Sequence, residues 1–207
     1  MAIAGEPCLS LRFNEPKECV AMAMINILGF GGSRRKGSYN SALLRTAAQL
    51  MPDGSRLEIH DISNIPMFDP EQSSNPPRTV MDFQDAIRKA DGLLVATPEY
   101  NYSVPGYIKN VFDAASLPAE RNPFPGKPVA LLSASTGMLG GARAQYHLRQ
   151  VFVFLDMIPV GRPEVFITFA NQKFNENLEL RDENSKELIR KLLFNLVSLS
   201  KKLKSPD

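Results

Sequence analysis

The chain has no tryptophan, two histidines and two cysteines among 207 residues, and its charges nearly cancel, with 24 Lys and Arg against 22 Asp and Glu for a net +2. Each shortage excludes something. Cys8 and Cys19 both fall in the first twenty residues, so no disulfide framework spans the fold, and such usage suits a reducing cytoplasm. His60 and His147 stand at no metal-ligand spacing with each other or with the cysteines, so no metal is expected. A balanced charge argues against a general nucleic-acid binder, which needs a concentrated basic face. No apolar run approaches the roughly 20 residues of a membrane span. The opening MAIAGEPCLSLRFNEPKECVAMAM lacks the basic and apolar regions of a secretory signal. Any anion that this chain binds must be held locally.

What is present is ordinary globular composition, 43% hydrophobic and 22% charged. A domain of this length buries roughly 70% of its unfolded surface. No internal repeat, low-complexity tract or linker interrupts the chain, so one domain is expected over residues 23–207. Residues 1–22 read as an N-terminal extension, most simply a flexible tail. Short apolar runs at 24–30 (MINILGF), 56–60, 93–97, 128–135 and 165–169 read as strands. Between them, helical spacing marks residues 38–51 (Leu43, Ala47, Leu50), the segment carrying Val80, Phe83, Ile87 and Ala90, and residues 106–116 and 140–155. A last helix near 184–204 aligns Leu188, Leu192, Leu196 and Leu199. Val151, Phe152, Val153, Phe154 and Leu155 are consecutive, which predicts burial on all sides. Five apolar, non-alternating strands separated by helices indicate a parallel sheet covered on both faces. Such sheets bind ligands at the carboxyl ends of their strands, beside the switch point.

Three loops at that end carry the chemistry. After the first strand comes Gly31-Gly32-Ser33-Arg34-Arg35-Lys36-Gly37-Ser38-Tyr39-Asn40, which runs straight into a helix. A helix N-terminus offers unpaired amides and partial positive charge, so serines, an asparagine and three consecutive cations there describe a phosphate cradle. Ser38 or Asn40 taken singly is more often a simple cap. A dinucleotide fingerprint fails because Arg34 stands where its third glycine belongs, and a phosphate-binding loop of nucleotide triphosphatases fails because the order is Lys36-Gly37-Ser38. A monophosphate at the first helix of a five-stranded sheet is the flavodoxin-like arrangement for FMN. The loop Thr97-Pro98-Glu99-Tyr100-Asn101-Tyr102-Ser103-Val104-Pro105-Gly106 is stiffened by two prolines and offers two flat tyrosines where a flavin ring would lie. Ser135-Thr136-Gly137-Met138-Leu139-Gly140-Gly141 lets backbone approach a planar ring. Ser133-Ala134-Ser135-Thr136-Gly137 lacks the leading glycine of a hydrolase nucleophile turn, since Leu131 and Leu132 occupy its place.

Residues 24 to about 178 resemble the NADPH-dependent FMN reductase family, in its chromate and quinone reductase branch. GSRRKGSYN resembles the family's GSxRxxSxN motif, TPEYNYSVPG its ring loop, and GKPVALLSASTGMLGGARAQYHLRQVF its third loop and following helix. The resemblance implies a flavodoxin-like α/β three-layer sandwich with parallel strand order 2-1-3-4-5. It implies that Ser33, Arg35, Ser38 and Asn40, with Tyr39 in the same segment, hold the FMN phosphate. Pro98, Glu99, Tyr100 and Asn101 would line the ring, and Ser135, Thr136 and Gly137 its other edge. It further implies a homodimer or homotetramer in which Arg143 and Tyr146 meet Glu164 of an opposing dimer. The expected activity is ping-pong transfer from NADPH or NADH to a small acceptor: a quinone, free flavin, azo compound or chromate. No side chain need serve as nucleophile or acid, because hydride moves between stacked rings. Arg34, Lys36 and Arg121 could each reach a nucleotide 2′-phosphate. Two rival readings are a flavodoxin-like carrier without pyridine-nucleotide activity, disfavoured by pI ≈ 8.5, and a domain that keeps the fold without flavin.

Overall fold

The computed structural model describes residues 24–31 and 35–204. The expected N-terminal extension with both cysteines, Ser33 and Arg34 therefore lie outside the described residues. The chain alternates strands and helices: β1 (Ile25–Gly31), α1 (Tyr39–Gln49), β2 (Ser55–Ile59), α2 (Arg78–Lys89), β3 (Gly92–Ala96), α3 (Gly106–Ala115), β4 (Pro128–Ala134) and α4 (Ala142–Phe154). Two short strands, β5 (Ile158–Pro159) and β6 (Val165–Ile167), precede α5 (Ala170–Lys173) and α6 (Glu183–Lys204).

All strand pairs are parallel, in the order β2-β1-β3-β4-β5, with β6 also on β4. This is the 2-1-3-4-5 arrangement expected, with one correction at its edge. The fifth position is shared: β5 pairs with the start of β4 (Pro128 opposite Ile158) and β6 with its end (Ala134 opposite Ile167). Gly161 and Pro163 lie between the two pieces, and a proline gives the ladder no donor. The expected strand over 165–169 also ends early, because Phe169 turns into a left-handed backbone, φ 48°.

Alternation along the strands builds two cores. Ile27, Leu94, Ala130 and Leu132 face α1 and α6, whereas Leu28, Leu93, Val95, Val129 and Leu131 face α2, α3 and α4. The second core holds an aromatic cluster in which Phe112 meets Phe30, Phe124 and Phe152 at ring separations of 5.8, 5.4 and 5.6 Å. Val80, Phe83, Ile87 and Ala90 are buried in that core as their spacing predicts. The stripe on α6 is rotated from the expected one: Ile189, Leu192, Leu193, Leu196 and Val197 are buried while Leu188 is exposed. The leucine-only stripe drifts off the contact line that the isoleucine and valine complete. On α4, Phe152 and Leu155 are buried, but Val153 and Phe154 are 80% and 87% exposed, so burial on all sides is not achieved within one chain. Those two side chains point away from the sheet. Among the described residues no helix is long and apolar enough to cross a membrane.

Candidate functional site

Strand order reverses at β1, which sends successive crossovers to opposite sides and leaves a crevice above the carboxyl ends of β1, β3 and β4. The three predicted loops converge there. Ser38 is the N-cap of α1, buried, with its Oγ accepting from the Ser41 backbone amide at 3.2 Å. Its hydroxyl proton stays available to a ligand oxygen. Helix geometry aims the amides of Tyr39 and Asn40 out of the same end. Arg35 and Lys36 are exposed beside them. Tyr39 itself packs on Phe174, ring to ring at 5.1 Å.

The Asn40 side chain also holds the fold together. Its Nδ2 donates to the Ala134 carbonyl at 3.0 Å and its Oδ1 accepts from the Ala134 amide at 2.9 Å, both buried. The side chain thus closes a two-bond clamp between the start of α1 and the end of β4, and sets the first loop against the third.

In the second loop Pro98 is buried and Tyr100, Asn101 and Tyr102 are exposed. Tyr100 and Ser103 exchange both backbone hydrogen bonds at 3.0 Å, while Asn101 and Tyr102 take φ of 49° and 67°. That is a two-residue primed turn, the tightest hairpin the backbone makes. Glu99 leads into it and receives α4: the Arg143 backbone amide donates to its Oε2 at 3.1 Å and the Arg143 Nε to its Oε1 at 2.5 Å.

The third loop is stitched to the sheet edge. The Ser135 amide donates to Ile167, the Ala170 amide to Ser135 and the Phe169 amide to Gly137, at 3.0, 3.0 and 3.2 Å. Ser135 Oγ accepts from the Gly137 amide at 3.1 Å. Gly140 and Gly141 are left-handed, and a Cβ on Gly141 would stand 2.7 Å from Ser133 Cβ, so the chain enters α4 where only glycine fits. Thr136, Gly137 and Met138 are exposed.

Arg143 and Tyr146, expected to meet Glu164 of an opposing dimer, also have neighbours within one chain. Arg143 turns to Glu99, and the Tyr146 hydroxyl donates to Glu164 Oε2 at a long 3.4 Å. Beside the first loop, Asp61 begins a turn in which the Ser63 amide and hydroxyl donate to its carboxylate, holding it below the usual carboxylate range. Its partners are local, which marks it as a turn former.

The family model for NADPH-dependent FMN reductase matches residues 25–172. The chain belongs to the NADPH-dependent FMN reductase family. An NAD(P)H-dependent FMN reductase of Pseudomonas aeruginosa is 50% identical over 170 residues, 82% of this chain and 91% of that protein. An NAD(P)H:quinone oxidoreductase of Solanum tuberosum is 42% identical over 191 residues, 89% of this chain and 97% of that one. Among solved structures, a flavoenzyme NAD(P)H:(acceptor) oxidoreductase from Paracoccus denitrificans superposes with a TM-score of 0.79 at 27% identity, covering 86% of this chain and 98% of that chain. The cofactors of this oxidoreductase family are FMN and NAD(P)H.

The residues present fit that group. A Cβ built on Gly137 would meet only Ser135 Oγ, at 3.6 Å, and one on Gly106 would meet nothing within 4 Å, so both ring-flanking loops leave room for a flat ligand. The rim is apolar and uncovered, with Met138 72% and Tyr102 70% exposed and Leu139 and Phe169 beside them in the chain's open loops. Cationic Arg35 and Lys36 stand at the opposite end of the crevice, suited to a phosphate. Sequence reasoning missed the Asn40 clamp and the Glu99–Arg143 pair, since both join residues more than forty positions apart. The hairpin at Tyr100–Ser103 was nearer to hand, because Asn is a residue that tolerates the left-handed region.

Proposed function

We propose that the chain is an FMN-dependent NAD(P)H oxidoreductase that reduces a small planar or anionic acceptor, a quinone, free flavin, azo compound or chromate, by a ping-pong sequence. The observation that carries this reading is that hydrogen bonds tie the three loops together at the carboxyl ends of β1, β3 and β4, with exposed cations at the start of α1 and exposed apolar side chains on the second and third loops. Arg35, the Ser38 hydroxyl and the first amides of α1, with Ser33 from the same motif, would hold the phosphate. Pro98, Glu99, Tyr100 and Asn101 would line one side of the ring through their backbone, and Ser135, Thr136 and Gly137 the other. Asn40 serves by fixing the distance between the two. Bound FMN supplies two-electron redox chemistry between NAD(P)H and the acceptor. The protein contributes orientation: an open apolar face admits nicotinamide and acceptor in turn, and neither substrate needs a proton from a side chain. Residues 23–207 act as one catalytic unit in the cytoplasm. A second copy of the chain covers Val153 and Phe154 at the end of α4, which would complete the burial that their sequence implies.

Anaerobic addition of NADPH, and separately NADH, to the purified yellow protein tests the reading. Bleaching of the flavin band is expected, followed by parallel lines in double-reciprocal plots with a quinone. A yellow protein that neither nucleotide bleaches would be an electron carrier, and a colourless protein that takes up no FMN would overturn the flavin reading altogether.

A further inference from the structure

The Tyr100–Ser103 turn is built from unusual residues. A primed two-residue turn needs positive φ at both central positions and favours Asn-Gly, yet here the second position is Tyr102, a bulky residue rarely found left-handed. Such backbone persists only where its surroundings over-determine it. The surroundings are one face of α4. Arg143 grips the loop at two points: its fork donates to Glu99, with Nε and NH2 both 2.5 Å from Oε1, and its guanidinium carbon lies 3.5 Å over the centre of the Tyr102 ring. Glu99 is itself largely enclosed, its side chain 9% exposed, while the Arg143 side chain that covers it stays 35% exposed on its outer side. One helical turn along, His147 Nδ1 is 2.8 Å from Ser103 Oγ. Residues four apart on a helix share a face. Three of the five residues from Glu99 to Ser103 are therefore held by two side chains of α4, whose first turn follows directly on the third loop.

We propose that Arg143 is a positioning residue: with His147 it locks the ring loop in its primed turn and couples that loop to the Gly137–Gly141 loop, so that both stand ready before the ring arrives. This rests on the reading of the crevice as the FMN site. Planarity matters as well as charge, because only a guanidinium can bind the carboxylate through its fork while stacking on the tyrosine.

The test uses the full chain and three measurements on Arg143→Leu and Arg143→Lys: amide exchange by mass spectrometry without added FMN, FMN titration, and molar mass by light scattering. In Arg143→Leu, peptides covering residues 99–104 should exchange about tenfold faster while those of β1 and β3 keep their rates, and FMN should bind about tenfold more weakly at unchanged molar mass. Arg143→Lys should recover part of both losses, since it keeps the charge and loses the plane. Unchanged exchange over 99–104, or FMN affinity within about twofold of the wild type, overturns the proposal. So does a loss of affinity confined to concentrations at which the molar mass also falls, which would assign Arg143 to a subunit contact. A wild-type chain that takes up no FMN would instead sink the reading of the crevice, and the exchange rates would still decide whether Arg143 holds the hairpin.

Discussion

The two ends of the sheet are built on opposite principles. At the amino end polar groups are tied to one another: Asp91 accepts from the Asn26 amide at 2.8 Å and pairs with Lys204 at 2.8 Å, and Lys127 donates to the Ala90 carbonyl at 2.7 Å. Burial pushes the Lys127 ammonium below its ordinary value, with Asp91 opposing the shift. At the carboxyl end lie Asn101, Tyr102 and Phe169, three of the five left-handed non-glycine residues among those described, with Asp156 at the amino end; apolar side chains face outward there, and the close packing of Gly140 and Gly141 serves the loops above. One end closes the fold and the other holds strain and open surface in reserve for a ligand, the usual division in parallel α/β sheets.

Substitutions at either end should separate these roles. The largest effect is expected for Gly141→Ala, where the new Cβ would stand 2.7 Å from Ser133 Cβ on a left-handed backbone. A stability loss of at least about 3 kcal/mol in a urea melt is expected. Next come two variants of similar weight and different consequence. Asn40→Ala strands the buried Ala134 amide and should cost about 2 to 3 kcal/mol and weaken FMN as well. Asp91→Ala should cost about 2 kcal/mol and leave FMN affinity unchanged. Equal effects on FMN from both would abolish the contrast between the ends.

The double variant Arg35→Ala with Ser38→Ala inverts the balance. FMN affinity should fall at least about tenfold through lost charge-assisted bonds, while stability falls by only about 1 kcal/mol from the missing cap. Fluorescence titration and a melt on the same samples check both halves.

The smallest effect concerns α6, which starts near the carboxyl end and finishes on Asp91. Asp182 caps it, accepting from the Ser185 amide at 2.9 Å, and hydrogen bonding from the Ser185 hydroxyl holds its carboxyl below the usual range. A lowered carboxylate stabilises the fold above its unfolded value near 3.9, and that contribution is lost as pH falls through the folded value. Asp182→Asn should therefore be less stable than the wild type by about 1 kcal/mol or less at neutral pH, with the gap closing in acid. A gap that widens toward low pH would contradict the sign.

Elements with strong local signals were legible in the sequence. The apolar runs of β1, β3 and β4, the spacing on α2 and the cap at Ser38 each record a local preference, and the parallel sheet followed from their alternation with helices, while its strand order came from the family resemblance. Local period served less well where contacts are shared. The buried stripe of α6 mixes Ile, Leu and Val, so a leucine ladder misplaced it, and the edge position split into β5 and β6 around Gly161 and Pro163. Val153 and Phe154 read as interior, yet one chain leaves them bare.

The site divides along the same line. Residue types and order alone determined that a cationic, serine-bearing loop enters the first helix, that a proline-framed tyrosine loop follows the third strand, and that a glycine-rich turn follows the fourth. Tertiary structure decided what each side chain does there. The Asn40 side chain is drawn to the Ala134 backbone and Arg143 to the Glu99 carboxylate and over the Tyr102 ring, because only folding brings those partners within the roughly 3 Å of a hydrogen bond or the 3.5 Å of the ring contact. Short-range chemistry between distant residues leaves no mark in spacing, and the assignment of a polar side chain to ligand or to scaffold depends on it.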